Sequence, residues 1–202
     1  LREGLAPGHF VAVDQYVDRT EGRDRSFFGP GCVAHVSLAE PVCGRLSALA
    51  ADAAEAAGAP VARGGTYLAM EGPQFSTRAE SELYRQWGMD VIGMTNMPEA
   101  RLAREAELPY ASMAMVTDYD CWRDGEADVD VVSVLEVMRS NTGVAQAMIE
   151  RLTRRLAGEV RRPGPAGIET VLDTALITPP MARDAAMTER LDVIAGRALR
   201  PA

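Results

Sequence analysis

The chain has 202 residues, of which 47% are hydrophobic and 25% are charged, and these are the proportions of one ordinary globular domain. Its formal net charge is −8, which argues against nucleic acid as the main partner because phosphate backbones are bound by basic surfaces. No run approaches the ~20 apolar residues that a membrane-spanning helix requires, so a membrane partner is not expected either.

All 21 basic residues are arginine. Because the chain has no lysine, Schiff-base chemistry, pyridoxal-phosphate chemistry and the lysine-bearing phosphate loop are excluded for it. The three cysteines are too few and too scattered for a disulfide framework or a zinc site, and neither His9 nor His35 has metal-ligand neighbours. We therefore expect no bound metal and a location in the reducing cytoplasm.

Strand and helix patterns alternate along the chain. Short apolar segments rich in β-branched and aromatic residues predict strands at residues 10–17, 32–38, 61–70, 90–93 and 110–116. Helical patterns predict helices at residues 41–57, 76–87, 97–106, 129–157 and 183–199. Ser76 is the expected cap of the second helix, and residues 161–167, RRPGPAG, are typical of a linker within the same domain. The alternation predicts an α/β domain whose sheet is covered by helices.

Two loop segments between these elements carry unusual residues. In residues 64–81, glycines, a proline and Phe75 precede a helix, which is typical of a ligand-facing turn or of a tight turn whose phenylalanine fills the core. In residues 90–100, Thr95 and Asn96 fall where a helix begins. Free backbone N–H groups there suit an anion, although either residue could simply cap the helix.

A third segment carries two carboxylates. Asp118 and Asp120 stand two residues apart, just after the predicted strand at residues 110–116. Ligands of open α/β sheets bind beyond the carboxyl ends of strands, where such a pair can accept hydrogen bonds or hold a proton. A solvated acidic turn and a metal-binding pair are the alternatives.

Three longer motifs carry a resemblance to a known family. They are MEGPQFSTRAES, GMTNMPEARLAREAELPYASMAMVTDYDCW and VAHVSLAEPVC. Together they closely resemble the 5′-methylthioadenosine phosphorylases, which belong to the trimeric purine nucleoside phosphorylase family. The resemblance implies a single α/β domain with a mixed, partly barrel-like sheet between helices. It also implies phosphorolysis of 5′-methylthioadenosine to adenine and 5-methylthioribose 1-phosphate, with inorganic phosphate as co-substrate and no metal or organic cofactor.

The resemblance assigns roles around the purine. The C1′–N9 bond breaks through an oxocarbenium-like state, so the departing base gathers negative charge. By its place in the TDYD motif, Asp118 would act at purine N7, and Asp120 would receive the exocyclic 6-amino group. Phe75 would stack near the base and ribose. Members of the family that cleave 6-oxopurine nucleosides have an acidic residue directly after this phenylalanine, where this chain has Ser76. Those members also have asparagine at the position of Asp118. Both differences favour adenine as the base.

Further roles surround the sugar and the phosphate. The resemblance implies that Met94 packs against the sugar and that Thr95 offers its hydroxyl and backbone N–H to phosphate. His35 corresponds to a family position that reaches into the pocket of a neighbouring subunit, which implies a homotrimer. Val131 and Val134 align with the pocket wall where relatives specific for a 5′-hydroxyl have a histidine. An apolar wall there favours a thiomethyl group, although two valines at this spacing are also typical of the core face of a helix.

Two departures from the family keep alternatives open. Gly93 stands where many relatives have asparagine, and glycine is usual in the 6-oxopurine branch, which favours a 6-oxopurine nucleoside or methylthioinosine phosphorylase. The family's glycine-rich first loop, its arginine–histidine segment and a threonine-containing strand have no counterpart in the sequence, so we expect residues 1–202 to be a phosphorylase domain without its N-terminal phosphate-binding portion. A catalytically incomplete nucleoside-binding fragment is the third hypothesis.

Overall fold

The computed structural model of the protein describes residues 1–123, 131–164 and 166–200. The described residues form two three-stranded sheets whose strands follow the chain as β1 (Phe10–Val13), β2 (Gln15–Arg19), β3 (Val61–Arg63), β4 (Thr66–Met70), β5 (Val91–Gly93) and β6 (Ser112–Met115). The strand orders are β3-β1-β6 and β2-β4-β5. Strand β6 runs antiparallel to β1 and the other pairings are parallel, so the sheet structure is mixed, as the resemblance implied.

A shared bend divides two of the predicted strands. The prediction of one strand at residues 10–17 was wrong, and the strand predicted at residues 61–70 is divided at Gly64 and Gly65, two glycines that indicate a close approach of the backbone. The chain turns at Asp14 between β1 and β2, and at Gly64 between β3 and β4. Gly64 has φ +84°, and a Cβ there would lie 2.8 Å from Asp14 Oδ2. The N–H of Gly65 donates to Asp14 Oδ1 at 3.1 Å, while the N–H of Asp14 donates to the Gly65 carbonyl at 3.2 Å. Both strands bend at one hydrogen-bonded junction, which carries the chain from one sheet to the other.

The described part of the chain contains six α-helices. They are α1 (Gly44–Ala56), α2 (Arg78–Gln86), α3 (Glu99–Glu105), α4 (Val131–Ala157), α5 (Leu172–Ala175) and α6 (Ala185–Leu199). Two single turns of 3-10 helix, Ile168–Thr170 and Pro180–Ala182, complete the set. The first two residues of the predicted helix 129–157 and residue 165 of the predicted linker 161–167 lie outside the described residues.

The cap of α2 differs from the prediction. Thr77, and not Ser76, caps this helix: its side chain accepts from the N–H of Glu80 at 3.2 Å, and the Glu80 carboxylate accepts from the N–H of Thr77 at 2.8 Å. This reciprocal capping box satisfies two backbone donors at once. Ser76 lies one residue before the cap, and its hydroxyl donates to Met70 Sδ at 3.9 Å.

Residues 32–38 do not form the predicted strand. The segment makes isolated bridges only, one of them between Ala34 and Leu176. Its apolar character is explained by packing, because Cys32 and Val36 belong to a hydrophobic cluster with α5 and α6. The apolar side chains of this segment are therefore packed against helices and are not part of a sheet.

The main hydrophobic core lies between the two sheets and α3. Its buried members come from β1, β4 and β5 together with the flanking loops: Leu5, Val11, Val13, Tyr67, Ala69, Val91, Met97, Ala100 and Val116. A second layer packs α1 and α4 around Phe10 on the other side of β1. None of the helices described is both long and apolar enough to cross a membrane.

Candidate functional site

A cleft of about 470 Å³ lies beyond the ends of β4, β5 and β6, where the three unusual loop segments meet. Its lining includes most of the site residues that the sequence singled out: Phe75, Ser76, Gly93, Met94, Thr95, Asp118, Asp120 and Val134. Val131 and His35 are not part of this lining. Each loop follows the carboxyl end of its own strand, which is where α/β sheets bind ligands.

Phe75 lies in the cleft and not in the core. Its side chain is 44% exposed, which rules out the interpretation that it fills the core. The carbonyl of the neighbouring Ser76 accepts a hydrogen bond from the Cys121 thiol at 3.3 Å. The loop that carries Phe75 is therefore joined directly to the loop that carries the two aspartates.

The loop after β6 is organised by the carboxylate of Asp118. Its Oδ2 accepts from the Thr117 hydroxyl at 2.6 Å, and its Oδ1 accepts from the N–H of Asp120 at 2.8 Å. Asp120 has φ +66°, a left-handed conformation that aspartate tolerates better than most residues. The hydrogen bonds of Asp118 hold Asp120 in that conformation and keep both carboxyl groups on the wall of the cleft. The interpretation of this segment as a solvated acidic turn is not supported, because both side chains line the cleft and neither is fully exposed.

The surroundings of Asp120 shift its protonation equilibrium. Burial raises its pKa above the ordinary aspartate value, and the negative charge of Asp118 adds to the rise. A hydrogen bond from Ser81 Oγ to Asp120 Oδ2, at 2.6 Å, acts in the opposite direction because it stabilises the ionised form. Ser81 lies on α2 and is completely buried. The site therefore holds a carboxyl group that retains its proton to a higher pH than an exposed aspartate does.

Gly93 is explained by its neighbour Tyr67 on β4. A Cβ at position 93 would overlap the Tyr67 hydroxyl. That hydroxyl lies 3.3 Å from Thr95 Oγ1 and accepts from the N–H of Thr95 at 3.4 Å. The absence of a side chain at position 93 thus lets a tyrosine from the adjacent strand reach Thr95.

The helix start near Thr95 differs from the prediction. Helix α3 begins only at Glu99, and Pro98 occupies the cap position, so neither Thr95 nor Asn96 caps it. Asn96 has φ +69°; its side-chain amide donates to Ser112 Oγ at 2.8 Å, and its N–H donates to Glu99 Oε2 at 2.9 Å. Thr95 itself is exposed at the mouth of the cleft.

Of Val131, Val134 and His35, only Val134 lines the cleft. Val134 is half-buried and lines the cleft together with Met138, whereas Val131, one turn earlier on α4, is 60% exposed. The interpretation of both valines as the core face of a helix is therefore wrong for Val131. His35 is exposed and lies on a separate groove with Arg25 and Arg101.

Tyr67, Ser81 and Met138 belong to the site by contact and were not found from the sequence. Tyr67 has the apolar, alternating context of an ordinary strand residue, and Ser81 that of an ordinary helix residue. The glycine at position 93 was the one local signal, because a glycine in a strand indicates close approach of another group. Within the described ranges, no three His, Cys, Asp or Glu side chains are grouped to hold a metal ion.

Comparisons with known proteins identify the family of this chain. A family model described as the phosphorylase superfamily matches residues 1–154. The chain is 56% identical over 200 residues to the S-methyl-5′-thioadenosine phosphorylase of Cereibacter sphaeroides, covering 99% of this chain and 69% of that protein. It is 49% identical over 197 residues to the protein of the same name from Geobacter sulfurreducens, covering 97% of this chain and 68% of that protein.

Solved structures of methylthioadenosine phosphorylases also superpose on this chain. A crystal structure of a methylthioadenosine phosphorylase from an Antarctic soil metagenomic library superposes with a TM-score of 0.86 at 41% identity, covering 99% of this chain and 68% of that one. The methylthioadenosine phosphorylase of Schistosoma mansoni in complex with adenine superposes with a TM-score of 0.79 at 33% identity, covering 86% of this chain and 68% of that one. The chain thus spans about two thirds of the length of these relatives.

Proposed function

Because the chain belongs to the phosphorylase superfamily, we propose that it catalyses the phosphorolysis of 5′-methylthioadenosine to adenine and 5-methylthioribose 1-phosphate. It is a pentosyltransferase of the purine nucleoside phosphorylase class, with inorganic phosphate as its co-substrate, and serves methionine and purine salvage. The single observation that carries the proposal is the cleft in which Asp118, Asp120 and the exposed ring of Phe75 converge, in a chain 56% identical over 200 residues to a protein named for this activity.

The two carboxyl groups act on the departing base. As the C1′–N9 bond breaks, its electrons move onto the purine, and a proton shared at N7 neutralises the charge that develops. Asp118 makes that contact, and Asp120 accepts a hydrogen bond from the 6-amino group. The raised pKa of Asp120 supports the proposal that this pair of carboxyl groups can hold a proton in the cleft. Proton transfer by a positioned group contributes about 10²–10⁴-fold to a rate.

The other residues bind the sugar and the phosphate. Phe75 stacks on the base and ribose, Met94 packs against the sugar, and Thr95 donates to phosphate from its hydroxyl and N–H. The exposure of Thr95 in the lining of the cleft supports this role. Tyr67 holds Thr95 from behind through the hydrogen bonds described above.

The 5′-thiomethyl group lies against the apolar end of the cleft. Val134 and Met138 supply the wall on the protein's own side, and the exposed Val131 extends it toward the surface. A buried 5′-hydroxyl without a partner there would cost roughly 1–3 kcal/mol, so the thiomethyl group is preferred.

The proposal includes a homotrimer that functions in the cytoplasm. His35 is exposed and outside the cleft of its own chain, and this supports a role at the 5′ end of a neighbouring subunit's pocket. Sedimentation of the active protein tests the assembly: a stable, fully active monomer would contradict it.

The test of function is an assay of the complete gene product. We expect adenine release from 5′-methylthioadenosine that depends on phosphate, with inosine a poor substrate. Arsenate in place of phosphate should also support release, since it attacks C1′ in the same way. Release of adenine at the same rate without phosphate would refute phosphorolysis, and binding of adenine with no turnover at any phosphate concentration would favour a nucleoside-binding protein.

A 6-oxopurine or methylthioinosine phosphorylase is the competing candidate. Gly93 was its motive, but the contact with Tyr67 accounts for that glycine without reference to the substrate. A 6-oxo group needs a hydrogen-bond donor, and it would face two carboxyl groups that share at most one proton. Faster release of hypoxanthine than of adenine would nevertheless establish the competing activity.

A further inference from the structure

Arg23, in the segment after β2, makes hydrogen bonds to two loops of the candidate site. Its Nε donates to Glu71 Oε2 at 2.9 Å, and its Nη2 donates to the Glu71 carbonyl at 3.3 Å. Its Nη1 donates to the carbonyls of Met94 at 3.0 Å and Met97 at 2.7 Å. One guanidinium therefore joins the start of the Phe75 loop to both ends of the Met94–Met97 segment.

The same two loops touch each other directly beneath this guanidinium. Gly72, with φ +76°, has Met94 so close that a Cβ would lie 2.5 Å from its sulfur. The side chain of Met94 consequently fills the space beside Gly72, and a shift of either loop would move the other. Arg23 fixes the relative position of two segments that are already in contact.

The cation is held by a carboxylate that is itself anchored. Glu71 Oε2 accepts from the N–H of Glu21 at 3.0 Å as well as from Arg23. These hydrogen bonds, the one from Glu21 first, lower the pKa of Glu71, so the pair is charged at neutral pH. The Arg23 side chain is 23% exposed and does not line the cleft, so its contacts are made with the protein and not with a ligand.

We propose that Arg23 is a positioning residue for catalysis: it holds the Phe75 loop and the Met94–Thr95 loop at the separation that nucleoside and phosphate require. The inference rests on the proposed function of these loops. Because the guanidinium presents its donors in a rigid planar fork, it can serve the Glu71 carboxylate and three carbonyls at once. The three donors of a lysine ammonium group radiate from one atom and cannot span the same acceptors.

The variants are Arg23→Ala and Arg23→Lys in the protein made from its complete gene, with Arg63→Ala as the matched control. Arg63 also donates to two carboxylates, Asp52 and Glu55, but it lies on β3 and does not line the cleft. For Arg23→Ala we expect kcat/KM to fall about 10- to 100-fold for both the nucleoside and phosphate, because displacement of reacting groups by ~1 Å has an effect of this size. Arg23→Lys should give a smaller fall, and Arg63→Ala should leave both constants unchanged.

Chemical rescue separates positioning from general stability. Added guanidinium at millimolar concentration should restore part of kcat/KM in Arg23→Ala but not in a Thr95→Ala variant, while ammonium should restore little. Hydrogen exchange should be faster in residues 71–77 and 93–98 of Arg23→Ala than in the parent protein. If Arg23→Ala does not fold, the same exchange and kinetic measurements on Arg23→Lys decide the matter.

Failure of the proposed function and failure of the positioning role of Arg23 would give different results. A parent protein without phosphate-dependent adenine release overturns the proposed function, whatever Arg23 does. A parent protein that is active, with Arg23 variants that melt earlier but keep kcat and both KM values, overturns the positioning role alone. Loss of activity in Arg63→Ala equal to that in Arg23→Ala would also overturn it.

Discussion

At the scale of single residues, the site depends on a carboxyl group kept partly out of water. Asp120 has a left-handed backbone conformation, a buried serine on one oxygen and the charge of Asp118 nearby, and burial is the largest cause of its raised pKa. Such a group destabilises the folded state when it is ionised.

Replacement of Asp120 by asparagine should lower activity and raise stability. Because the folded-state pKa of Asp120 lies above its unfolded value, the group favours the folded state at low pH and loses that contribution as pH rises through the folded pKa. At neutral pH Asp120→Asn should therefore melt at a higher temperature than the parent, with the gap closing in acid. Its kcat/KM should fall roughly 10- to 100-fold, because the 6-amino group loses its hydrogen bond to a carboxylate.

The measurement is a melting curve and a rate at each pH, with Glu82→Gln as the control. Glu82 is an exposed residue of α2, so its replacement should leave both the pH dependence of melting and the rate unchanged. An Asp120→Asn variant that is less stable than the parent at neutral pH would contradict the desolvation argument.

A double-mutant cycle tests the pairing of Gly93 with Tyr67. Gly93→Ala places a methyl group against the Tyr67 hydroxyl, and we expect it to destabilise the protein by roughly 1–3 kcal/mol, as overpacking does. Tyr67→Phe removes this hydroxyl group, which also forms the hydrogen bonds to Thr95, so it should raise the KM for phosphate.

In the double variant, the destabilisation should be smaller than the sum of the two single effects, since the clash is partly relieved. Urea denaturation measures the three free energies of unfolding. Additive effects would show that the two residues do not share this space.

At the scale of elements, loops that leave neighbouring strands are brought together by contacts that link distant parts of the chain. The Cys121 thiol reaches the Ser76 carbonyl, and the Ser81 hydroxyl on α2 reaches Asp120 after β6. Helix α2 thus has a double role, since its beginning fixes the Phe75 loop and its interior fixes the acidic pair. The stability of its first turn should consequently matter to the site.

The capping box of α2 gives a prediction with an internal control. Thr77→Ala removes the side chain that accepts from Glu80 N–H, and we expect a loss of about 1 kcal/mol in the free energy of unfolding. Ser76→Ala, one residue earlier, should change stability by much less, because Ser76 is not the cap. Denaturant unfolding measures the free energy of unfolding of both variants. Equal losses would contradict the assignment of Thr77 as the cap.

At the scale of the whole molecule, two surfaces of the described residues lie outside the lining of the candidate site. His35 is exposed on its own groove, and the first turns of α4 expose apolar side chains, including Val131 at 60% and Val132 at 67%. In the proposed homotrimer, His35 serves a neighbour's site. That assignment can be tested by complementation.

Co-expression of His35→Ala with Asp118→Asn should produce more activity than either variant has alone. In a mixed trimer some sites combine an intact Asp118 from one subunit with an intact His35 from its neighbour, so those sites work. Activity of the mixture equal to the average of the two separate variants would show that His35 and Asp118 act within one chain. Each variant assembled alone is the control.

Much of the fold could be predicted from the sequence, with particular exceptions. The helices at 41–57 and 183–199 and the strand at 110–116 occur within a few residues of their predicted bounds. The segments 10–17 and 61–70 were each predicted as one strand, because the apolar pattern runs on through Asp14 and Gly64 and local periodicity does not record a change of sheet. Residues 32–38 have a strand's composition but pack on α5 and α6.

The candidate site divides in the same way. The motifs placed Asp118, Asp120, Phe75 and Thr95 on loops after strands, and these side chains do line one cleft. Tyr67, Ser81 and Arg23 could not be predicted, because their contacts join residues separated by 28, 39 and up to 74 positions in the chain.

The sequence by itself determined the alternation of strands and helices, the family resemblance and the residue types available for chemistry, since these depend on local pattern and motif. The tertiary structure decided which of those residues meet, which carboxyl group is desolvated and why position 93 is a glycine. The physical reason is that burial, charge interaction and close approach are set by atoms brought together from remote parts of the chain, and no local pattern encodes those distances.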